Sequence, residues 1–211
     1  MTHSSMSVGV LLAAGRSARF KSTRFHLKQL ATLSNGATLL ETSAKNLRAS
    51  VDRLVIIVSQ DEALREHAAL VAKWCDAEMV VNAHAHDGMA TSIACGVKVS
   101  PDATGWLIAL ADMPYILPVT YAAIAVQLNS PTKIIVPTYE GKRGHPIAFG
   151  AAYVEALSQL KGDTGAREVI DEHRQHVVQY VTLDAGILVD IDEHMAHEAI
   201  YSASLSQFGA T

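Results

Sequence analysis

Alternation between apolar runs and segments of helical spacing constrains the fold of this chain more than any other feature. Four runs of strand length are rich in valine, isoleucine and leucine: VGVLLA (8–13), RLVIIVS (53–59), AEMVVN (77–82) and GWLIALAD (105–112). Three segments with helical spacing separate them: 38–50, 61–74 and 89–100. Near-continuous apolar strands that alternate with helices are typical of a mostly parallel sheet covered on both faces. The first half is therefore predicted to be a doubly wound, Rossmann-like α/β unit.

The second half interrupts this order. After a predicted helix at 117–130, the segments KIIVPTYE, GKRG and HPIAFG indicate a strand, a tight turn and a second strand, which together form an inserted β-hairpin. Two helical pieces between 152 and 173, strands at VVQYVTL and GILVDID, and a C-terminal helix from about Glu193 are predicted to follow. We expect one domain over residues 1–211, in which the hairpin and the connecting helices form a lid or one side of a binding site.

Composition excludes several classes of protein. The chain has 211 residues, of which 49% are hydrophobic and 18% are charged, and this suits one globular domain with a full core. Its net charge of -4 argues against a general nucleic-acid or anionic-membrane binder. Cys75 and Cys95 are too few for a disulfide framework, and we expect both to be buried in a protein from a reducing compartment. The first apolar run is too short to span a bilayer and is followed by arginines, so a cytoplasmic location is expected.

A basic segment follows the first predicted strand. Its sequence is AAGRSARFKSTRFHLK, and no acidic residue precedes Glu41. A turn of small residues lets the backbone approach a phosphate closely, and exposed N–H groups together with Arg19 and Lys28 can offset the phosphate charge. The pattern is neither GxxxxGKS/T nor GxGxxG, so it supports neither a P-loop nor a dinucleotide-binding turn. A solvated basic loop is the alternative for this segment.

Polar residues at the ends of the third and fourth strands are further candidates, because ligands of open parallel sheets bind outside the carboxyl ends of the strands. Asn82 can hydrogen-bond a base or a ribose, and Ser92 can face a ligand, although for Thr91 and Ser92 a helix-capping role is favoured. Asp112 ends the fourth strand, where a carboxylate is placed to hold Mg²⁺ together with substrate phosphates. A turn or capping role is an equal alternative for Asp112.

A second carboxylate is predicted near the end of the chain. VDIDEH places Asp190 and Asp192 two residues apart on a predicted strand, hence on one face, which could meet Asp112 if that strand returns beside the sheet. The histidine pairs are weak metal signals: His84 with His86, and His194 with His197. A glycine turn with basic residues and two carboxylates is what nucleotidyl transfer needs, because that reaction depends on positioning and charge neutralisation. The sequence has no GxSxG segment and no reactive-cysteine signature for covalent catalysis.

These segments resemble a known family. LAAGRSARF is similar to the LAAGxSxRMG signature of the MobA-like nucleotidyltransferases, whose fold is of the nucleotide-diphospho-sugar transferase type. Within that family the chain most resembles the molybdenum cofactor cytidylyltransferases of the MocA type. The segments that carry this resemblance are DGMATSIACGV, DMPYI, RGHPIAF, LKGDTGAREVI and VDIDEHMAHEAI, in the family's order along nearly the whole chain. The resemblance implies a nucleotide-binding half at about 1–115 and an acceptor-side half at about 116–211.

Roles follow from the resemblance position by position. It implies nucleotide contacts for Leu12, Ala13, Ala14, Gly15, Ser17, Arg19 and Lys28, to which the strand-end pattern adds Asn82 and Ser92. It implies Arg19 and Lys28 on the phosphates, and with Asp112 these two form the catalytic set. Mg²⁺ or Mn²⁺ is expected on Asp112 and Asp192, with Asp190 as the alternative to Asp192. The acceptor-side set, expected to meet a pterin, is Arg143, Gly144, His145, Pro146, Asp163, Gly165 and Arg167.

Base and acceptor choice are the finer expectations. In the family LAAG accompanies cytosine and LAGG guanine, and the methyl group of Ala14 narrows the pocket in favour of a pyrimidine. The resemblance thus implies CMP transfer from CTP to molybdopterin, with a xanthine dehydrogenase-like molybdoenzyme or its chaperone as a partner and with neither nucleic acid nor membrane. Alternatives are another base or acceptor, such as GTP or a sugar phosphate, and a non-catalytic cofactor carrier. A dehydrogenase is the weakest candidate.

Two departures from the family pattern affect specific positions. RFKSTRFHLK replaces RMG followed closely by PK, so Phe20 and Lys21 stand for Met and Gly, and extra residues precede Lys28. This leaves the roles of Lys21 and Arg24 open. In the C-terminal motif, glutamate and histidine follow Asp192 where the family has threonine and proline.

Overall fold

The structure is a computed structural model that describes residues 6–15 and 27–191. Its strands are β1 (Ser7–Leu12), β2 (Arg53–Val58), β3 (Ala77–Val81), β4 (Gly105–Leu110), β5 (Ile134–Tyr139), β6 (Lys142–Arg143), β7 (Ile147–Gly150) and β8 (Val177–Val181). Its α-helices are α1 (Leu39–Arg48), α2 (Glu62–Trp74), α3 (Met89–Lys98), α4 (Pro118–Gln127), α5 (Val154–Ser158) and α6 (Arg167–Glu172). All eight strands belong to one sheet in the order β3-β2-β1-β4-β7-β5-β6, and β8 pairs with β5.

The first four strands form the predicted parallel half of the sheet. β1 lies between β2 and β4, parallel to both, with Leu12 opposite Ile57 on one side and Leu110 on the other. β3 continues the parallel pairing beyond β2. Because these strands run in the same direction, their carboxyl ends meet at one edge of the sheet, and the loops that follow them lie side by side.

Helices cover both faces of the sheet. On one face Leu40 of α1, Leu64 of α2 and Tyr121 of α4 pack in a core with β-strand side chains such as Leu11. The core on the opposite face contains residues of α3, α5 and α6 and the alternate side chains of β1. Burial of each large apolar side chain contributes about 1.5–3 kcal/mol, so the two cores hold the layers together. The prediction of a doubly wound, mostly parallel α/β sheet is confirmed.

The starts of α1 and α2 follow from their sequences. Thr38 precedes α1, and its hydroxyl accepts a hydrogen bond from the Glu41 N–H at 3.1 Å. Asp61 precedes α2, and its carboxylate accepts from the Leu64 N–H at 2.9 Å. Each side chain satisfies a backbone donor that the helix leaves unpaired. The ends predicted from the sequence therefore agree with the structure within a few residues.

The predicted hairpin forms only in part. β5 and β6 are joined by a two-residue turn, Glu140 and Gly141, in which both residues have positive φ. The second long strand, β7, does not follow that turn directly: it inserts between β4 and β5, antiparallel to both. The chain reaches this place because Gly144 passes against the backbone of Ile187, where an added Cβ would lie 2.2 Å from the carbonyl oxygen.

The prediction of a strand at GILVDID is wrong within the described residues. Ala185–Leu188 forms a 3₁₀ turn instead, and residues 189–191 have no strand pairing. The cause is the buried carboxylate of Asp184, which accepts hydrogen bonds from the Leu117 N–H, the Thr120 hydroxyl and the Gly186 N–H at 2.6–2.9 Å. Asp190 therefore does not lie on a strand, and both Asp192 and the predicted C-terminal helix fall outside the described ranges.

None of the described helices is long and apolar enough to cross a bilayer.

Candidate functional site

A cavity of about 450 Å³ lies at the carboxyl edge of the parallel strands. Ala14 and Gly15, which follow β1, line it together with Ser59 and Gln60, which follow β2, and Asn82, which follows β3. Three of the positions expected to bind a nucleotide, Ala14, Gly15 and Asn82, thus line one cavity. Ser59 and Gln60 were not predicted from the sequence, although the same strand-end rule that selected Asn82 applies to them.

The turn after β1 presents backbone rather than side chains. Leu12, Ala13 and Ala14 are buried, while Gly15 is exposed. The carboxamide of Gln29 donates a hydrogen bond to the Gly15 carbonyl at 2.9 Å and ties the turn to the residues that follow Lys28. Among the described residues of the turn, Gly15 is therefore exposed to a ligand, while Ala14 forms part of the cavity wall.

Asn82 has a structural role in the described structure. Its amide nitrogen donates to the hydroxyls of Thr91 and Ser92 at 2.9 and 3.0 Å, and its carbonyl oxygen accepts from the His84 N–H at 2.9 Å. These contacts occupy the amide within the loop that leads into α3. The residue at the N-cap of α3 is Gly88, so the favoured capping role of the two hydroxyls is wrong, and they hold the loop instead.

The histidines of this loop contact a neighbouring carboxylate. Asp87 lies 3.4 Å from His84 Nδ1 and 3.2 Å from His86 Nε2, and all three side chains are exposed. Among residues 6–15 and 27–191 no group of three histidine, cysteine, aspartate or glutamate side chains is arranged to hold a metal ion. The weak metal signal of this pair gains no support from the structure.

Lys28 and Asp112 form an ion pair beside this cavity. Lys28 Nζ lies 2.8 Å from Asp112 Oδ2, and the exposed fractions of the two side chains are 8% and 25%. Lys28 opens a 3₁₀ turn, Lys28–Leu30, directly after Leu27 of the cavity wall. Asp112 sits just beyond the end of β4. The lysine expected on phosphate and the carboxylate expected on metal are thus brought into direct contact.

The loop that carries Asp112 is held by α1. The Ser43 hydroxyl donates to the Ala111 carbonyl at 3.1 Å, and the Asn46 amide donates to the carbonyls of Pro114 and Ile116 at 3.1 Å. On its other side the Ile191 N–H donates to the Asp112 carbonyl at 3.0 Å. The chain after the Asp184 turn therefore returns to Asp112, as expected, although not as a strand.

Carboxylate oxygens at this place fit Mg²⁺ or Mn²⁺. Ions of this type are commonly held by one or two carboxylates together with substrate phosphates, and they do not need a cluster of three protein ligands. Asp112 offers such a carboxylate, and the hydrogen bond from the Ile191 N–H to the Asp112 carbonyl brings the neighbouring Asp190 to the same end of β4. The donor chemistry of the residues present is therefore compatible with the metal that the resemblance implies.

A second cavity, of about 390 Å³, lies between α3, β4, β7 and α6. Arg143, His145 and Arg167 line it, and these are three of the residues expected on the acceptor side. Much of the remaining wall is apolar: Met89, Ile93, Ile108, Ile147, Phe149, Ala166 and Ile170. The apolar residues were not predicted as site residues, because on the sequence their spacing is that of ordinary core positions.

His145 presents a buried polar atom in this region. Its Nδ1 has no hydrogen-bond partner within the described structure, and the following peptide bond, to Pro146, is cis. Burial lowers the pKa of His145, and a hydrogen bond to the Ile108 backbone and the negative charge of Asp112 oppose the shift. The imidazole is therefore neutral near pH 7, and its Nδ1 is a buried acceptor without a hydrogen-bond partner among the described residues.

The segment at 162–167 shapes the second cavity from the side of α3. The Gly162 carbonyl accepts a hydrogen bond from the Ala90 N–H at 3.1 Å. Gly88 has a φ of 113°, and a Cβ there would lie 2.2 Å from the Gly162 oxygen and 2.3 Å from Asp163 Oδ1. Asp163 thus lies against the start of α3, whereas Arg167 reaches the cavity wall. Gly165, with a φ of 60°, provides the turn between them.

Ser17, Arg19 and Asp192 lie outside the described residues, as do Lys21 and Arg24. Gly144 and Pro146 flank His145 in the chain. Six described members of the predicted set thus line the two cavities, three in each, and Lys28 and Asp112 form an ion pair beside the first.

The doubly wound sheet, with one cavity at the carboxyl edge of its parallel strands and a second between α3, β4, β7 and α6, defines a Rossmann-like α/β protein. Its sequence matches the MobA-like NTP transferase domain over residues 9–177, which is well over half of the chain. The protein belongs to the MobA-like NTP transferase family and is a nucleotidyltransferase of that family. The family resemblance seen in the sequence is thereby confirmed.

Individual relatives agree with this assignment. The purine catabolism protein PucB of Bacillus subtilis is 29% identical over 206 residues, which cover 93% of this chain and 96% of PucB. The crystal structure of Rv0371c from Mycobacterium tuberculosis is 27% identical, with a TM-score of 0.71 over 95% of this chain and 98% of that one. Its complex with manganese matches at 26% identity and a TM-score of 0.65, covering 86% and 92% of the two chains. A nucleotidyl transferase from Methanothermobacter, at 20% identity and a TM-score of 0.77 over 97% and 100% of the chains, supports the fold alone.

Proposed function

We propose that this protein is a Mg²⁺- or Mn²⁺-dependent cytidylyltransferase that transfers CMP from CTP to the phosphate of molybdopterin. The products are molybdopterin cytosine dinucleotide and pyrophosphate. The observation that carries the proposal is the place of Lys28 and Asp112. Lys28 follows Leu27 of the first cavity, and Asp112 follows β4, whose Ile108 lines the second cavity. A reacting phosphate between two bound substrates would lie beside this pair.

The chemistry needs positioning and charge neutralisation. The acceptor phosphate attacks the α-phosphorus of CTP in line, the bond to the β-phosphate oxygen breaks, and pyrophosphate leaves. In this proposal Lys28 and Arg19 bind the triphosphate, and Asp112 with Asp192 or Asp190 holds the divalent ion. A divalent ion held there would supply further charge neutralisation on the phosphates. The manganese complex of Rv0371c is consistent with such an ion.

The two halves of the chain divide the substrates. We assign the nucleotide to the half at about 1–115 and the acceptor to the half at about 116–211. In the second cavity the apolar wall suits a flat heterocycle, and Arg143 and Arg167 suit its anionic groups. Asp163 and Gly165 contribute to acceptor binding through the shape of the loop that carries Arg167.

The preference for cytosine rests on Ala14. Its methyl group is buried beside the first cavity and reduces the space that glycine would leave there. A recipient of the xanthine dehydrogenase kind is consistent with PucB, which is named for purine catabolism. Such a molybdoenzyme, or its chaperone, is the protein partner in this proposal.

The test is pyrophosphate release with each of the four ribonucleoside triphosphates, molybdopterin and Mg²⁺ or Mn²⁺. We expect release with CTP and little with GTP. In the variant Ala14→Gly the ratio of kcat/KM for CTP to that for GTP should fall by about tenfold or more, because a buried methyl group discriminates by about 10- to 200-fold. Release with a sugar phosphate and none with molybdopterin would reject the proposed acceptor.

A further inference from the structure

We propose that Lys28 is an internal counterion that blocks the metal-binding carboxylate until a nucleotide arrives. In this proposal the ion pair of Lys28 and Asp112 persists until a nucleoside triphosphate binds, so a divalent ion binds strongly only together with the triphosphate. This inference rests on the proposed function, in which Asp112 is a metal ligand and Lys28 a phosphate ligand. It adds the order in which the ligands can bind.

The contact between the two charges is close and largely shielded from water. Nζ and Oδ2 are 2.8 Å apart, and only 8% of the Lys28 side chain is exposed. The Lys28 side chain is buried, and its contact with the Asp112 carboxylate offsets part of the cost of removing the ammonium charge from water. A divalent ion on Asp112 would place a second positive charge beside the ammonium group, and repulsion would weaken metal binding.

The backbones of both partners are anchored. The Ala31 N–H donates to the Lys28 carbonyl at 3.0 Å, and the Leu39 N–H donates to the Ala31 carbonyl at 3.0 Å. The loop of Asp112 is fixed by Ser43 and Asn46 of α1. Transfer of the ammonium group from the carboxylate to a phosphate therefore needs only rotation about the bonds of the lysine side chain.

The same arrangement releases the carboxylate when a triphosphate binds. The triphosphate of a nucleotide in the first cavity offers the ammonium group an alternative anion, and Asp112 then becomes available to the metal. By thermodynamic linkage the nucleotide and the metal must raise each other's affinity by the same factor. Lys28 adds to this coupling beyond the direct contacts that the phosphates make with the metal.

The test is Mn²⁺ binding to the full-length protein, measured by isothermal titration calorimetry or by the electron paramagnetic resonance of free Mn²⁺. Each variant is titrated without nucleotide and with a CTP analogue that has a methylene group between the α- and β-phosphorus. Lys28→Met removes the charge and keeps an unbranched stem of similar length. We expect its nucleotide-free form to bind Mn²⁺ at least tenfold more tightly than the wild type, and the gain in Mn²⁺ affinity on adding the analogue to be smaller than in the wild type.

Matched variants separate the possible outcomes. Lys73→Met, which changes an exposed lysine of α2, should behave as the wild type, and Lys28→Arg should retain weak Mn²⁺ binding without nucleotide. Asp112→Asn should lose the tight binding when combined with Lys28→Met. Equal Mn²⁺ affinity of the wild type and Lys28→Met without nucleotide would overturn the inference alone. Absence of Mn²⁺ binding to the wild type even with the analogue would instead reject the proposed metal site.

Discussion

At the residue scale, the charged and polar side chains of the site are defined by contacts between distant parts of the chain. The sequence predicted Lys28 and Asp112 as separate candidates, and the structure places them 2.8 Å apart. Their pairing could not be predicted from the sequence, because it depends on the packing of α1 against the loop after β4. Asn82 shows the converse: its position at a strand end was predicted, but its amide is occupied by Thr91, Ser92 and His84.

His145 provides a prediction at this scale. The variant His145→Phe fills the same space without a hydrogen-bond acceptor, so a ligand N–H that binds Nδ1 would lose its partner. Loss of a buried partner costs about 1–3 kcal/mol, so the Kd for molybdopterin should rise by about 5- to 150-fold while the Kd for CTP stays unchanged. Pterin fluorescence and calorimetry measure the two constants. His173→Phe is the control, and equal pterin affinity in both variants would exclude Nδ1 from recognition.

At the element scale, local sequence signals were sufficient for the parallel half and insufficient for the second half. β1 to β4 are apolar runs with helices between them, so their type and order could be predicted. The position of β7 depends on pairing with β4 and β5, which are distant in the sequence. The segment GILVDID has an apolar pattern, but the hydrogen bonds of Asp184 favour a 3₁₀ turn over a strand.

The junction of Gly88 with the 162–167 segment gives a prediction for the start of α3. In Gly88→Ala the added Cβ would lie 2.2 Å from the Gly162 oxygen, and alanine would also have to adopt a φ of 113°. We expect a loss of about 2–3 kcal/mol and a decrease in Tm of about 4–12 °C. Gly36→Ala is the matched control, because Gly36 has a φ of 84° but no atom within 4 Å of an added Cβ. An equal Tm decrease in both variants would show that the contact of Gly88 with the 162–167 segment does not contribute to stability.

The packing of α1 against α2 gives a prediction about pH. His67 Nε2 lies 2.8 Å from the Thr38 hydroxyl at the start of α1, and burial lowers the pKa of His67 while the charge of Glu41 opposes the shift. Because the unfolded chain binds a proton more readily, this group adds stability above its ordinary pKa of about 6.5, and that stability is lost as pH falls below it.

In the variant His67→Gln the free energy of unfolding should therefore fall less steeply between about pH 7 and pH 5 than in the wild type. Urea denaturation at several pH values measures this difference. His173→Gln serves as the control. Parallel pH profiles for the wild type and His67→Gln would show that His67 does not contribute to the pH dependence.

At the scale of the whole molecule, the fold forms two separate cavities and places the ion pair of Lys28 and Asp112 at the carboxyl end of the parallel strands. The strand-end rule located the first space from the sequence, since Ala14, Gly15 and Asn82 all follow strands. The second space was expected from the RGHP and GDTGAR segments, but its apolar wall combines residues of several distant elements. The composition of that wall could be found only after the chain was folded.

The most direct test of the proposed cytidylyltransferase identifies the product itself. Purified protein is incubated with CTP, Mg²⁺ and molybdopterin, and the pterin product is analysed by mass spectrometry. The proposed function predicts a gain of one CMP unit on the pterin and release of one pyrophosphate for each dinucleotide formed. An unmodified pterin under conditions in which the protein transfers CMP to another phosphate acceptor would contradict it.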